Sequence, residues 1–128
     1  MTPYVVWMDS EKANLFNIKT SNVEKSHLTL HGADHHTRSK KDLHEVHHLE
    51  HFYRDLAIKL NDADQILILG PGLSKNHFKT YLETHHKKDL GSKIVGLEHS
   101  DHPTDNQIIA TAKKYFKLEP FAENEKIR

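Results

Sequence analysis

At 128 residues and 14.9 kDa the chain fits one compact domain, 1–120 with a tail over 121–128; its hydrophobic share of 36%, with five glycines, implies a real but modest core. Eighteen Lys and Arg balance eighteen Asp and Glu, which disfavours a uniformly basic nucleic-acid binder or a basic membrane-surface protein and leaves partner choice to local patches. The absence of cysteine excludes a disulfide framework, a thiolate zinc knuckle and a cysteine nucleophile, and with no bilayer-length apolar run and no basic stretch opening the chain, a soluble cytoplasmic protein with no membrane partner is expected.

Three short β-rich segments come first, 4–9, 13–19 and 26–31, joined by short polar connections that suit an antiparallel meander. Residues 32–41 (GADHHTRSKK) are polar, basic and without apolar periodicity, which marks an exposed loop and the best candidate for a working one. Val46, Leu49, Tyr53, Leu56 and Leu60 then recur at steps of three and four, with Phe52 and Ala57 beside them. That spacing predicts an amphipathic helix over 42–61, which Asp42 and Glu45 can cap.

Residues 65–69 (QILIL) read as a buried parallel strand running into Gly70-Pro71-Gly72, a turn expected to need glycine dihedrals. Ser74 is expected to cap a second helix, with Leu73 and Phe78 forming a hydrophobic staple across its start. A strand over 93–98 follows. Thr104 and Gln107 form a capping box ahead of a third helix whose inner face is Ile108, Ile109, Ala112, Tyr115 and Phe116. The order βββαβαβα places the chain in the α/β class, with a mixed five-stranded sheet of ribonuclease H-like order and helices on its faces. The edges of such an open sheet give a route to a homo-oligomer.

Histidine, at 13 residues, is the oddity, and it makes net charge sensitive between about pH 5 and 7. His44-Glu45-Val46-His47-His48 satisfies the HExxH pattern of zinc hydrolases on a predicted helix. At about 100° per residue, however, His44, His48, His51 and Asp55 point opposite the apolar stripe, and no G-x-x-H continuation follows. A solvated, partly titrating helix face is the plainer reading, with a metal held by His44, His48 and His51 as its alternative. No cofactor is required by either.

A metal-dependent nuclease would need carboxylates on the first strand, first helix and fourth strand. Asp9 with Glu45 or Glu50 supplies two, but the fourth strand ends in Leu69-Gly70-Pro71-Gly72 and Asp101 lies after the next strand, so the set is incomplete. Gly72, Ser74 and Lys75 sit where a helix start and a lysine could hold an anion, without full P-loop spacing; a structural strand-to-helix turn accounts for them as well.

The stretch 65–82 (QILILGPGLSKNHFKTYL), with its GPG-x-x-K-x-x-F core, resembles the central domain of the archaeal and eukaryotic class 1 peptide-chain release factors and of Pelota. The opening 5–16 (VVWMDSEKANLF) looks like the start of that domain, and the element order agrees from about residue 3 to 118. The resemblance implies a ribonuclease H-like fold and a relation to the translation machinery. In release factors the loop between the third strand and first helix carries Gly-Gly-Gln, which helps hydrolyse peptidyl-tRNA. Here it reads HGADHHTRSKK, so the resemblance implies no termination activity and a place nearer Pelota-like or bacterial release-factor-like relatives.

What that loop retains suits RNA. Arg38, Lys40 and Lys41 can contact phosphates, and His35 and His36 add donors or stacking surfaces. The expected function is therefore a non-catalytic, translation-associated protein that binds the ribosome, ribosomal RNA or another structured RNA through this loop; the competing class is the metal-dependent hydrolase.

Overall fold

A computed structural model describes residues 2–19, 23–30 and 41–116, with the backbone alone over 41–48. Along the chain run β1 (Pro3–Met8), β2 (Lys12–Ile18), β3 (Val23–Thr29), α1 (Lys41–Lys59), β4 (Gln65–Gly70), α2 (Ser74–His85), β5 (Ile94–His99) and α3 (Asp105–Tyr115). One sheet of order β3-β2-β1-β4-β5 joins the five strands. β1 pairs antiparallel with β2 and β2 with β3, whereas β1–β4 and β4–β5 are parallel. This is the mixed five-stranded sheet of ribonuclease H-like order that the element sequence predicts. Among the described residues no helix is long and apolar enough to cross a membrane.

Strand alternation sorts the apolar residues into two layers. Val6, Met8, Leu15, Ile66 and Ile68 face α1 and α2, where they meet Phe52, Leu56, Leu60, Phe78 and Leu82; Val5, Trp7, Phe16, Leu67 and Leu69 face α3 at Ile108 and Ala112. β4 is buried on both sides, which is why it reads as a continuous apolar run. Burying each such side chain contributes roughly 1.5–3 kcal/mol. At the opposite edge, β3 is largely exposed and carries Glu24, Lys25 and His27, a charged guard against stray strand pairing.

α3 begins as its capping box predicts: the Gln107 N–H donates to Thr104 Oγ1 at 3.2 Å and the Thr104 N–H to Gln107 Oε1 at 2.9 Å. α2 begins differently. Leu73, not Ser74, is the cap residue; it is already in the right-handed helical region, and no side chain caps the helix start. The expected staple is absent too, because Leu73 is 67% exposed while Phe78 is fully buried. With helical geometry reached one residue early, the Ser74 hydroxyl is out of capping position and the leucine turns to solvent.

The role expected of the glycines is also corrected. Neither Gly70 nor Gly72 has a φ in the left-handed region, and what Gly70 supplies is space: a Cβ there would lie 2.1 Å from the Met8 carbonyl oxygen on the neighbouring strand. Tyr115, expected on the inner face of α3, is 37% exposed, and its hydroxyl donates to the Val95 carbonyl at 3.1 Å.

At the amino-terminal end of β1, Tyr4 donates its hydroxyl proton to Asp62 Oδ1 at 2.9 Å. Burial, with help from Asp62, pushes the Tyr4 hydroxyl up to about 12. A group whose folded pKa is raised favours the folded state fully below its unfolded value near 10, and that contribution is lost as pH rises from about 10 through 12. Ultraviolet titration should therefore show Tyr4 ionising late, and Asp62→Asn should bring its transition down toward the ordinary range; an unchanged curve would detach the shift from Asp62.

Candidate functional site

β1 and β3 both lie antiparallel to β2, and β4 and β5 run parallel to β1, so the carboxyl ends of four strands gather at one end of the sheet. There the β1–β2 hairpin closes through Asp9, whose Oδ1 accepts the N–H groups of Glu11 at 2.8 Å and Lys12 at 2.9 Å. The Leu30 N–H donates to the Glu11 carbonyl at 2.7 Å, so the chain leaves β3 beside that hairpin on its way to α1. The strand order reverses between β1 and β4, the place where open α/β sheets present a crevice.

The connection from β5 to α3 covers that crevice. Trp7, almost wholly buried, donates its indole N–H to the carbonyls of Asp101 at 3.1 Å and Ser100 at 3.3 Å, and the Ser100 N–H donates to the Gly70 carbonyl at 2.9 Å. The His102 ring lies 5.2 Å from the Trp7 ring, with its Nε2 4.0 Å from Asp9 Oδ2. His99 Nε2 lies 3.0 Å from Asp101 Oδ1. The Asp9–His102 approach was not legible in the sequence, because it joins residues 93 apart through a loop with no periodic pattern.

Asp9 therefore spends one oxygen on its own turn and turns the other toward an imidazole. Glu50 and His51 are exposed on α1, and His51 Nδ1 pairs with Arg54 Nη2. Among the described residues no three His, Asp or Glu side chains are grouped as a metal would need. The side chains of His44, Glu45 and His48 lie outside the described residues.

In the turn after β4, Lys75 is nearly buried and its Nζ donates to the Gly72 carbonyl, while no side chain, that of Ser74 included, caps the helix start. His35, His36, Arg38 and Lys40 lie outside the described residues. Lys41 is the first residue of α1 and its side chain lies outside them as well. What the structure provides is the point of departure at Leu30 and the helix start at Lys41.

No family model matches the chain. The Pelota homologue of Methanococcus vannielii is 32% identical over 99 residues, 77% of this chain and 27% of that protein. The crystal structure of Archaeoglobus fulgidus Pelota matches with a TM-score of 0.66 at 13% identity, over 98% of this chain and 34% of that one. That of an archaeal translation termination factor matches at 0.63 and 13% identity, over 92% and 35%. The chain thus spans about a quarter of the length of the curated relative and about a third of the solved chains.

Proposed function

Since the chain belongs to the superfamily of Pelota and the archaeal and eukaryotic class 1 release factors, matching their central domain, we propose that it is a non-catalytic, translation-associated protein that binds the ribosome or a structured RNA through the loop over 33–41. The sequence of that segment carries the reading. Where release factors place Gly-Gly-Gln, this chain has Arg38, Lys40 and Lys41 beside His35 and His36, groups that hold phosphates and stack on bases. The fold supports it by launching the segment from the carboxyl end of the sheet, between the Asp9 hairpin and α1. A cytoplasmic location goes with this reading.

Replacing Arg38, Lys40 and Lys41 with Ala should remove salt-sensitive cosedimentation with ribosomes. Each lost phosphate contact lowers the slope of log affinity against log salt by about 0.7–0.9, so three contacts flatten it by about 2–3. Cosedimentation that persists unchanged across the salt range would remove the proposal.

A further inference from the structure

The carboxyl-terminal end of α2 carries a group of side chains that the loop reading leaves unused. The Tyr81 ring lies 4.6 Å from that of His85 and 5.9 Å from that of His86, and it is backed by Tyr53 at 5.5 Å and Phe78 at 6.4 Å. The platform is thus anchored to the core from beneath. Lys87 and Lys88 follow at once in the exposed turn.

The carboxylates nearest in sequence are already engaged. Glu83 pairs with Lys79 at 2.8 Å, and Asp89 lies 3.6 Å from His86 Nδ1. The Leu90 backbone N–H, chiefly, holds the Asp89 carboxyl below its ordinary range, so it stays ionised on its own turn. Among the described residues neither Lys87 nor Lys88 has an ion-pair partner. The helix dipole acts within the last turn of α2, which ends at His85, so it accounts for neither lysine beyond that turn.

We infer that Tyr81, His85, His86, Lys87 and Lys88 form a second contact for single-stranded RNA, in which the rings stack on unpaired bases and the lysines hold the flanking phosphates. Stacking on tyrosine and imidazole faces next to cations is how proteins grip unpaired nucleotides without reading their sequence. α2 begins at Ser74 and runs 12 residues, so at about 1.5 Å per residue Tyr81 lies about 10 Å and His85 about 17 Å along the helix from its start. This inference rests on the RNA-binding reading above and adds to it a contact at the far end of α2.

The test uses the full chain and a fluorescein-labelled 20-nucleotide single-stranded RNA, followed by anisotropy between 50 and 200 mM salt. Lys87→Glu with Lys88→Glu should weaken binding at least fivefold at low salt and lower the salt slope by about 1–2, with the thermal midpoint unchanged. His85→Ala should weaken binding about threefold with little change in slope, the signature of lost stacking. If the lysine pair is silent while the Arg38, Lys40 and Lys41 variant loses affinity, the α2 contact is wrong and the loop reading stands. If the reverse holds, the α2 contact stands and the loop reading is decided by ribosome cosedimentation. Absence of binding to this RNA by the unaltered chain overturns the α2 contact. Displacement of the RNA by poly-glutamate as readily as by unlabelled RNA would overturn the assignment to RNA.

Discussion

Gly70→Ala should cost about 4 kcal/mol or more, a large fraction of the total stability of a domain this size. The added Cβ would sit 2.1 Å from the Met8 carbonyl oxygen and 3.3 Å from its carbon. Both are main-chain atoms of the neighbouring strand, so no rotamer change relieves the contact, and either β1 or β4 must move. β1 is the central strand of the sheet and β4 its parallel neighbour, and moving either disturbs both core layers at once. Gly72, two residues on, is the control: a Cβ there meets nothing within 4 Å and its φ lies outside the left-handed region, so Gly72→Ala should be neutral or stabilising by up to about 1 kcal/mol. Urea denaturation of the two variants measures the difference. Similar losses at both positions would mean that the turn needs glycine for its dihedrals after all, as the Gly-Pro-Gly sequence alone implies.

That pair of glycines shows where sequence reasoning stops. Periodicity carries information about which side of an element is buried, so Leu56 and Leu60 on α1, the run Ile66, Leu67, Ile68 and Leu69, and Ile108 with Ala112 on α3 could all be assigned to the core before any coordinates. The capping box at Thr104 was equally legible, because both partners lie three residues apart and the motif is local. Element ends shifted by one to three residues, most at β3, whose exposed edge has no strong apolar alternation to fix it. What could not be read was anything set by distant backbone: the Gly70 approach to Met8, the tie from Trp7 to the 100–101 carbonyls, and the placing of His102 over Asp9. The candidate loop shows the same division. Its cations and imidazoles are plain in the sequence, and its root beside the Asp9 hairpin follows from strand order, which the element pattern and the right-handed crossover rule together determine.

The cost of Phe78→Ala should be about 3–5 kcal/mol, while Leu73→Ala should change stability by no more than about 0.5 kcal/mol. A hydrophobic staple would couple these two positions, and both truncations would then be felt. Instead Phe78 is fully buried in the layer shared by α1, α2 and the sheet, with its ring 5.6 Å from that of Tyr53, and Leu73 points to solvent. Deleting the Phe78 ring leaves a cavity that the surrounding strands and α1 cannot collapse to fill, so both the transfer and cavity contributions are lost. The same ring supports Tyr81 at 6.4 Å. At temperatures where the Phe78→Ala protein is still folded, its affinity for single-stranded RNA should therefore fall with that of the α2 contact, whereas Leu73→Ala should bind as the unaltered chain does. A double-mutant cycle between 73 and 78 is expected to show no coupling; an interaction of about 1 kcal/mol would restore the staple and with it a helix start organised around Ser74.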